Sequence, residues 1–491
     1  MDLFENELVE EKNKNSKIAK MIIIAIVLIS LLCVGILVAI TMLQSQQLRV
    51  YIDNSATSLT NNTLIIEDTG KVYISINDMA KIFGYEYLNG EYEKTSEDNT
   101  KGFVRNPDEI VSFEANSKRV YKIVQNSNRD LYNYFYIDEN IKFMNSKLYT
   151  TPEGIKTIFN ANFEYNVETN MVTIFTLPYL TEYYTGKIAE YGYKNLDNEF
   201  ENLKALTSDM IIAIKEDGKA GIITTEGKQI ISPKYDKIRY VETTKDFFVT
   251  ANAKVGLVSN TGRTKINLLY DSIELLDKDK ELYLVRNDGK SGVLDKNGNI
   301  IIYLEYEQIG IDLSQFKNSD IKNPYLIFDN CIPVMKDKKW GILDVAGREI
   351  LPVSFDFLGC VIGTSNVKST NNVIIIPDYE AIVVGKDKLY GIYNAKGEKL
   401  VEIALTSVYS VTSSGKTVFE MEYNEKRLNV EEYFNGQGIK KINKNVVNDS
   451  DEIDDINITS VNNTSKNTEN TANTTENTEE NANTTEENVE E

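Results

Sequence analysis

Glycines recur six residues apart at six places along this 491-residue chain: Gly186/Gly192, Gly221/Gly227, Gly256/Gly262, Gly292/Gly298, Gly341/Gly347 and Gly391/Gly397. Eight residues past each second glycine comes a bulky residue, then usually an acid, and two residues on an aliphatic. These tetrads read Phe200-Glu201-x-Leu203, Tyr235-Asp236-x-Ile238, Tyr270-Asp271-x-Ile273, Tyr306-Glu307-x-Ile309, Phe355-Asp356-x-Leu358 and Leu405-Thr406-x-Val408. Two features in one register mark a repeat array, whose units are too small to bury an apolar face alone and must stack.

The stretches between paired glycines, such as GVLDKNG and GILDVAG, read as strands entering a hairpin. The second glycine suits the positive φ of a tight turn. The first is not at a turn, which predicts a bulge or a close backbone approach. Apolar runs such as Leu282-Tyr283-Leu284-Val285 precede each pair. The expected fold is mainly β: six units over 180–438, either propeller-like or an open β-solenoid. The stretch from Lys416 to Phe434 would complete or cap it.

Lys339-Trp340-Gly341-Ile342-Leu343-Asp344-Val345-Ala346-Gly347-Arg348-Glu349-Ile350-Leu351-Pro352 resembles the WG repeat family. Tyr390-Gly391 keeps an aromatic residue at the tryptophan position, whereas Ala220, Val255 and Ser291 do not. Trp340 and Tyr390 are expected to pack between units. Units start 35, 35, 36, 49 and 50 residues apart. The two long intervals place extra residues, Asp312 to Asn323 and Gly363 to Asn372, at one phase of the repeat. They should project from one edge of the array and are the candidate partner-binding loops.

Residues 21–43 form an uncharged run long enough, as a helix, to cross a hydrocarbon core. Lys12, Lys14, Lys17 and Lys20 precede it and Arg49 follows, so 1–20 is expected to be a cytoplasmic stub and the bulk extracytoplasmic.

Residues 48–178 carry a separate duplication: Lys71 to Gly84 aligns with Lys147 to Asn160. Each copy reads as a strand, a capping hydroxyl (Ser75 or Thr151) and a short helix with one apolar face, giving a small α+β unit. At these residues the chain resembles the stalk domain named after the N-terminal domain of copper amine oxidases. The resemblance implies a spacer or wall-proximal unit; copper in that family is held by histidines of another domain.

The chain has no histidine, which removes imidazole catalysis and histidine metal sites. Its net charge of -21 argues against a nucleic-acid partner. Cys331 and Cys360 bracket one repeat and are either bridged or two buried thiols. Residues 445–491, rich in Asn, Thr and Glu, read as a disordered acidic tail. Near-matches to a phosphate loop at Gly221, Ser-x-x-Lys motifs at Ser365 and Ser413, and a calcium loop at Asp295 each lack a required residue.

No catalytic residue, cofactor site, metal site or small-molecule substrate is inferred. The expected function is non-catalytic recognition of an envelope partner, a protein or a cell-wall polymer, by a membrane-anchored scaffold. The alternatives are a carboxylate-based wall hydrolase and a surface sensor signalling through the stub.

Overall fold

The computed structural model describes residues 25–35 and 49–442, apart from 58, 60–62, 68, 92–93, 96–97, 125–132, 167, 317–320, 322, 363–369 and 414–415. The chain divides into 1–446 and 447–491, and the second unit lies outside the described residues. So do the expected stub and tail. Of the expected membrane span, 25–35 is helical and the remainder is not described. Among the described residues no helix is long and apolar enough to cross a membrane.

The N-terminal domain is α+β, and the duplication is visible in its centre. Strands Val72–Ser75 and Lys147–Thr150 pair antiparallel, with Tyr149 opposite Ser75. Each leads into a short helix, Ile76–Ile82 or Pro152–Phe159. The Ser75 hydroxyl accepts the Asp78 amide, and the Thr151 hydroxyl accepts the Gly154 amide. Each cap satisfies an amide the helix leaves open, a contribution of about 1 kcal/mol. Phe83 and Phe159 stack across the two copies at 4.7 Å. Between the copies runs a meander that includes Lys101–Arg105, Glu109–Glu114, Arg119–Val124 and Asn133–Tyr136. This meander carries Glu109 and Lys122.

Among the described residues six small antiparallel sheets follow, and five are built on the glycine register. The second is Lys237–Val241, Asp246–Ala251, Lys254–Val258 and Thr264–Tyr270; the third is Ser272–Asp277, Leu282–Asn287, Lys290–Leu294 and Ile300–Tyr306. In each central strand, alternate side chains enter opposite cores, as the two-residue period of a strand dictates. Leu282 and Leu284 pack with Ile332 and Val334 of the fourth sheet. Tyr283 and Val285 pack with Phe248 and Leu257 of the second. In the fifth sheet Ala381 and Val383 face the sixth, while Ile382 and Val384 face the fourth. Each hydrophobic core between two sheets therefore belongs to two modules.

The two glycines have different tasks. The strand holding Gly341 shifts register there, and a Cβ on Gly341 would fall 2.8 Å from the Val353 backbone. The same shift recurs at Gly221, Gly256, Gly292 and Gly391. This is a bulge with close backbone approach. The second glycine turns the chain: Gly298 has φ +81°, and a Cβ there would sit 2.8 Å from the Lys265 carbonyl of the preceding sheet. Gly262, Gly347 and Gly397 likewise abut the second residue of the preceding sheet's last strand, Ile230, Ile301 and Ile350.

The first expected unit needs correction. Gly186 lies within helix Leu177–Lys187, and Gly192 ends the 3-10 turn Ile188–Tyr191 with a left-handed φ of 77°. Phe200–Leu203 is also helical. These helices bury Leu177, Leu180 and Leu206 against Ile211 and Ile223 of the first sheet. Gly227 departs from the other turn glycines as a result. It has the expected positive φ, +88°, but no repeat sheet precedes its hairpin, so the Tyr191 ring takes the space its Cβ would need. The Tyr191 hydroxyl fixes that contact by donating to the Thr225 carbonyl of the same turn at 2.9 Å.

At the other end Thr370–Asn372, Ser407–Ser413, Lys416–Tyr423 and Lys426–Asn429 form the sixth sheet. Helix Val430–Gly436 covers it through Val430 and Phe434. Among the described residues no strand pairing joins the first and sixth sheets.

Cys331 and Cys360 are buried and free, so the bridged alternative is not formed. Burial pushes the Cys331 thiol up to about 12, and the Cys360 sulfur accepts the Val408 amide.

Candidate functional site

From the first sheet to the fifth, a single residue separates the last strand of one sheet from the first strand of the next, and it is the tetrad acid; Thr406 holds that place before Ser407–Ser413. Asp271 follows Tyr270 and precedes Ser272. One of its carboxylate oxygens accepts from the Lys254 ammonium of its own module at 2.7 Å; the other accepts the Asp288 amide in the following hairpin turn at 2.9 Å. Asp236 joins Lys219 to the Asn252 amide, and Asp356 joins Lys339 to the Asp387 amide, in the same way. Hydrogen bonds from lysine and then from the amide hold all three carboxyls below the usual aspartate value. Glu307 keeps only the amide half, to Lys338, and Thr406 has no carboxylate. Asp295 of the calcium-loop near-match instead caps its own turn, accepting the Asn297 and Asn299 amides.

This joint fixes the residue three positions after the acid on one face of the array. The row reads Arg239, Glu274, Gly310, Gly359 and Tyr409, with Lys204 in the equivalent position after the helical Glu201. At two places the row is glycine, and an aromatic side chain lies on it. A Cβ on Gly310 would come within 2.5 Å of the Tyr325 ring, and one on Gly359 within 2.7 Å of Phe316. Both aromatics belong to the first long insertion or its immediate border. Phe316 is 6% exposed and joins the core of the fourth and fifth sheets.

The row is open between Lys204 and Glu274, and there the structure has a cleft of 360 Å³. Lys237 and Arg239 line it from the second sheet, Ser272 and Glu274 from the third, Asp271 from the joint between them, Glu201 from the helix Phe200–Leu203, Tyr325 from the border of the first insertion and Val124 from the N-terminal domain. Glu274 is held by Arg286 at 2.6 Å and by the Tyr325 hydroxyl at 2.9 Å. Lys237 pairs with Glu199 at 2.6 Å. The Arg239 guanidinium lies over the Phe248 ring, 4.7 Å from its centroid.

A closed ring of buried charge forms the wall toward the N-terminal domain. Glu109 pairs with Lys204 at 2.8 Å, Lys204 with Glu242 at 2.9 Å and Glu242 with Lys122 at 2.6 Å. Lys122 donates to Asn160, whose amide returns to Glu109. The Tyr85 hydroxyl also donates to Glu109. Burial pushes the Glu109 carboxyl up, but Lys204 and Lys122 outweigh it and hold it at about 2. Formal charges sum to zero, which is the condition for burying Glu109, Lys122 and Lys204 together; Glu242, 23% exposed, faces the cleft. A second contact between the domains lies nearby, where the Lys278 ammonium sits 4.2 Å from the Tyr134 ring centroid and Tyr134 bonds Asp279.

Of the residues named from sequence, Trp340 and Tyr390 are half-buried against the cores of the fourth to sixth sheets. Asp312 caps the Ser314 amide, and Asn323 donates to the Leu276 carbonyl beside the cleft. Asn372 donates to the Gln315 carbonyl at 2.8 Å, so the two insertions meet. Gly363 lies outside the described residues. Neither insertion is mere decoration: one supplies Phe316 and the other the strand Thr370–Asn372. The variable row and the buried ring were not foreseen, although aligning the tetrads would have exposed the row.

Residues 221–242 and 292–311 match the family described as WG containing repeat. Each matched stretch begins at a bulge glycine, crosses an acid joint and ends in the next sheet, so the family's unit straddles the module boundary. The match supports a WG-repeat protein. It includes Arg239 and Gly310 of the variable row but not Trp340-Gly341. No curated protein matches the chain. Among solved structures it is similar to KlHsv2 with loop 6CD replaced by a Gly-Ser linker, at 9% identity over 66% of this chain and 85% of that one, TM-score 0.21. A eukaryotic initiation factor structure gives 10% identity over 68% and 86%, TM-score 0.24. The extracellular domain of a one component system from B. thetaiotaomicron gives 11% over 77% and 55%, TM-score 0.19. At such TM-scores these likenesses define neither fold nor function.

Proposed function

We propose that this chain is a membrane-anchored, extracytoplasmic binding and scaffold protein, without catalytic activity, that recognises an envelope partner through the first-strand face of its repeat array. Residues 21–43 anchor it, the α+β domain is a stalk of the kind its duplication resembles, and the array is an open stack with helices over both end faces. The observation that carries the reading is the built character of that face. Gly310 and Gly359 make room for Tyr325 and Phe316, so residues of the first insertion and its border lie against the row, and Tyr325 lines the opening. The carboxylates at that opening are already held by cations, which suits recognition better than acid–base chemistry.

A photo-crosslinking residue at Ser272 of the full chain in cells tests this. An adduct with an envelope component is expected from position 272 and not from position 426, on the far edge of the sixth sheet. Equal labelling at both positions sinks the proposal. Release of reducing ends from purified wall glycan by the full chain overturns its non-catalytic part.

A further inference from the structure

Most of the charged groups around the cleft are held in ion pairs. Glu242 is engaged by Lys122 and Lys204, Asp271 by Lys254 and Glu274 by Arg286. Lys237 is engaged by Glu199. Among the described residues Arg239 is the cation at the opening with no carboxylate partner; one face of its guanidinium is taken by Phe248 and its N–H edge is unspent. In the row it stands between two groups that are fully occupied, Lys204 and Glu274.

We propose that Arg239 makes this cleft a binding site for a carboxylate group, carried either by a peptide C-terminus or by an acidic sugar. A planar guanidinium backed by an aromatic ring presents two parallel N–H donors, the geometry that a carboxylate accepts bidentately. A volume of 360 Å³ admits a ligand of one or two residues or sugar units. Charge selects the monoanion. Glu201, Glu242, Asp271 and Glu274 line the same opening, so a phosphate dianion meets about twice the repulsion that a carboxylate does. Ser272 adds a neutral hydroxyl beside the anion's position.

The inference rests on the binding reading above and deepens it. Its test is titration calorimetry of the full chain with N-acetyl-alanyl-alanine, with the C-terminal amide of that peptide, with glucuronate and with inorganic phosphate. At least one carboxylate probe is expected to bind, with the amide and phosphate weaker by roughly tenfold or more. The stronger carboxylate probe identifies the source. Arg239→Gln should abolish that preference and Arg239→Lys should retain part of it, with circular dichroism showing both folded. Equal binding of acid and amide to the unaltered protein overturns the proposal without reference to any variant. So does the absence of binding by both carboxylates at millimolar concentration, or an undiminished preference in Arg239→Gln. If envelope crosslinking from position 272 persists while carboxylate binding fails, only this inference falls.

Discussion

The Tyr325 ring occupies the space that a side chain on Gly310 would need. Gly310 also has φ +90°, a conformation that L side chains rarely adopt. Gly310→Ala should therefore cost about 1–3 kcal/mol and tilt Tyr325 off Glu274. In a Tyr325→Ala background the same change should cost measurably less, because the ring it collides with is gone. Chemical denaturation followed by circular dichroism measures both, and equal costs in the two backgrounds would contradict the packing described.

The ring of Glu109, Lys204, Glu242 and Lys122 predicts non-additivity. Glu109→Gln leaves two buried ammonium groups facing one carboxylate and should destabilise the protein by about 3–5 kcal/mol. Adding Lys204→Met restores neutrality, so the double variant should be less destabilised than the sum of the single ones. Strict additivity would show that these groups do not act as one network.

The acid joints predict a specific acid sensitivity. Asp236, Asp271 and Asp356 have folded values below the unfolded one, so their contribution is complete above pH about 4 and fades as pH falls through the lowered values. Glu109, at about 2 when folded, adds to the same window. The triple variant Asp236→Asn, Asp271→Asn, Asp356→Asn should start less stable near neutrality and lose stability more gently below pH 4. A wild-type slope retained in the triple variant would remove the joints from the explanation.

Because adjacent residues of one strand serve different cores, neighbouring substitutions should weaken different modules. Leu284→Ala should cost about 2–5 kcal/mol and expose amides chiefly of the fourth sheet, around Ile332 and Val334. Val285→Ala should act on the second sheet, around Phe248 and Leu257. Hydrogen exchange resolved by module separates the two patterns, and identical patterns would refute the shared-core arrangement.

Much of the fold was legible because the array repeats its own constraints. The paired glycines, one at a bulge and one at a turn, with an apolar run before each pair, specify hairpins regardless of context. The capped helices at Ser75 and Thr151 were equally plain, since each needs only local residues. Gly186 and Gly192 misled because glycine spacing alone does not separate a turn from a helix end; the run before them, Leu177 to Glu182, is helix-compatible and caps the stack instead. The part played by the tetrad acids was not legible, because their partners are distant in sequence: Lys254 lies 17 residues before Asp271 and Asp288 lies 17 after it, while the Asp387 amide lies 31 after Asp356. The buried ring was hidden for a stronger reason. Glu109 and Lys204 are 95 residues apart, and no local pattern announces that they meet.

With a single amino acid bridging consecutive sheets, the chain has no slack at its module boundaries. Extra length therefore accumulates elsewhere, as at 312–323 and 363–372, while the spacing between neighbouring sheets stays fixed. Copying one such segment, from bulge glycine to bulge glycine, would lengthen the molecule by a set increment and add one more row position to vary. A protein organised this way can change what it grips by altering a single side chain, or how far it extends by gene duplication, independently of each other.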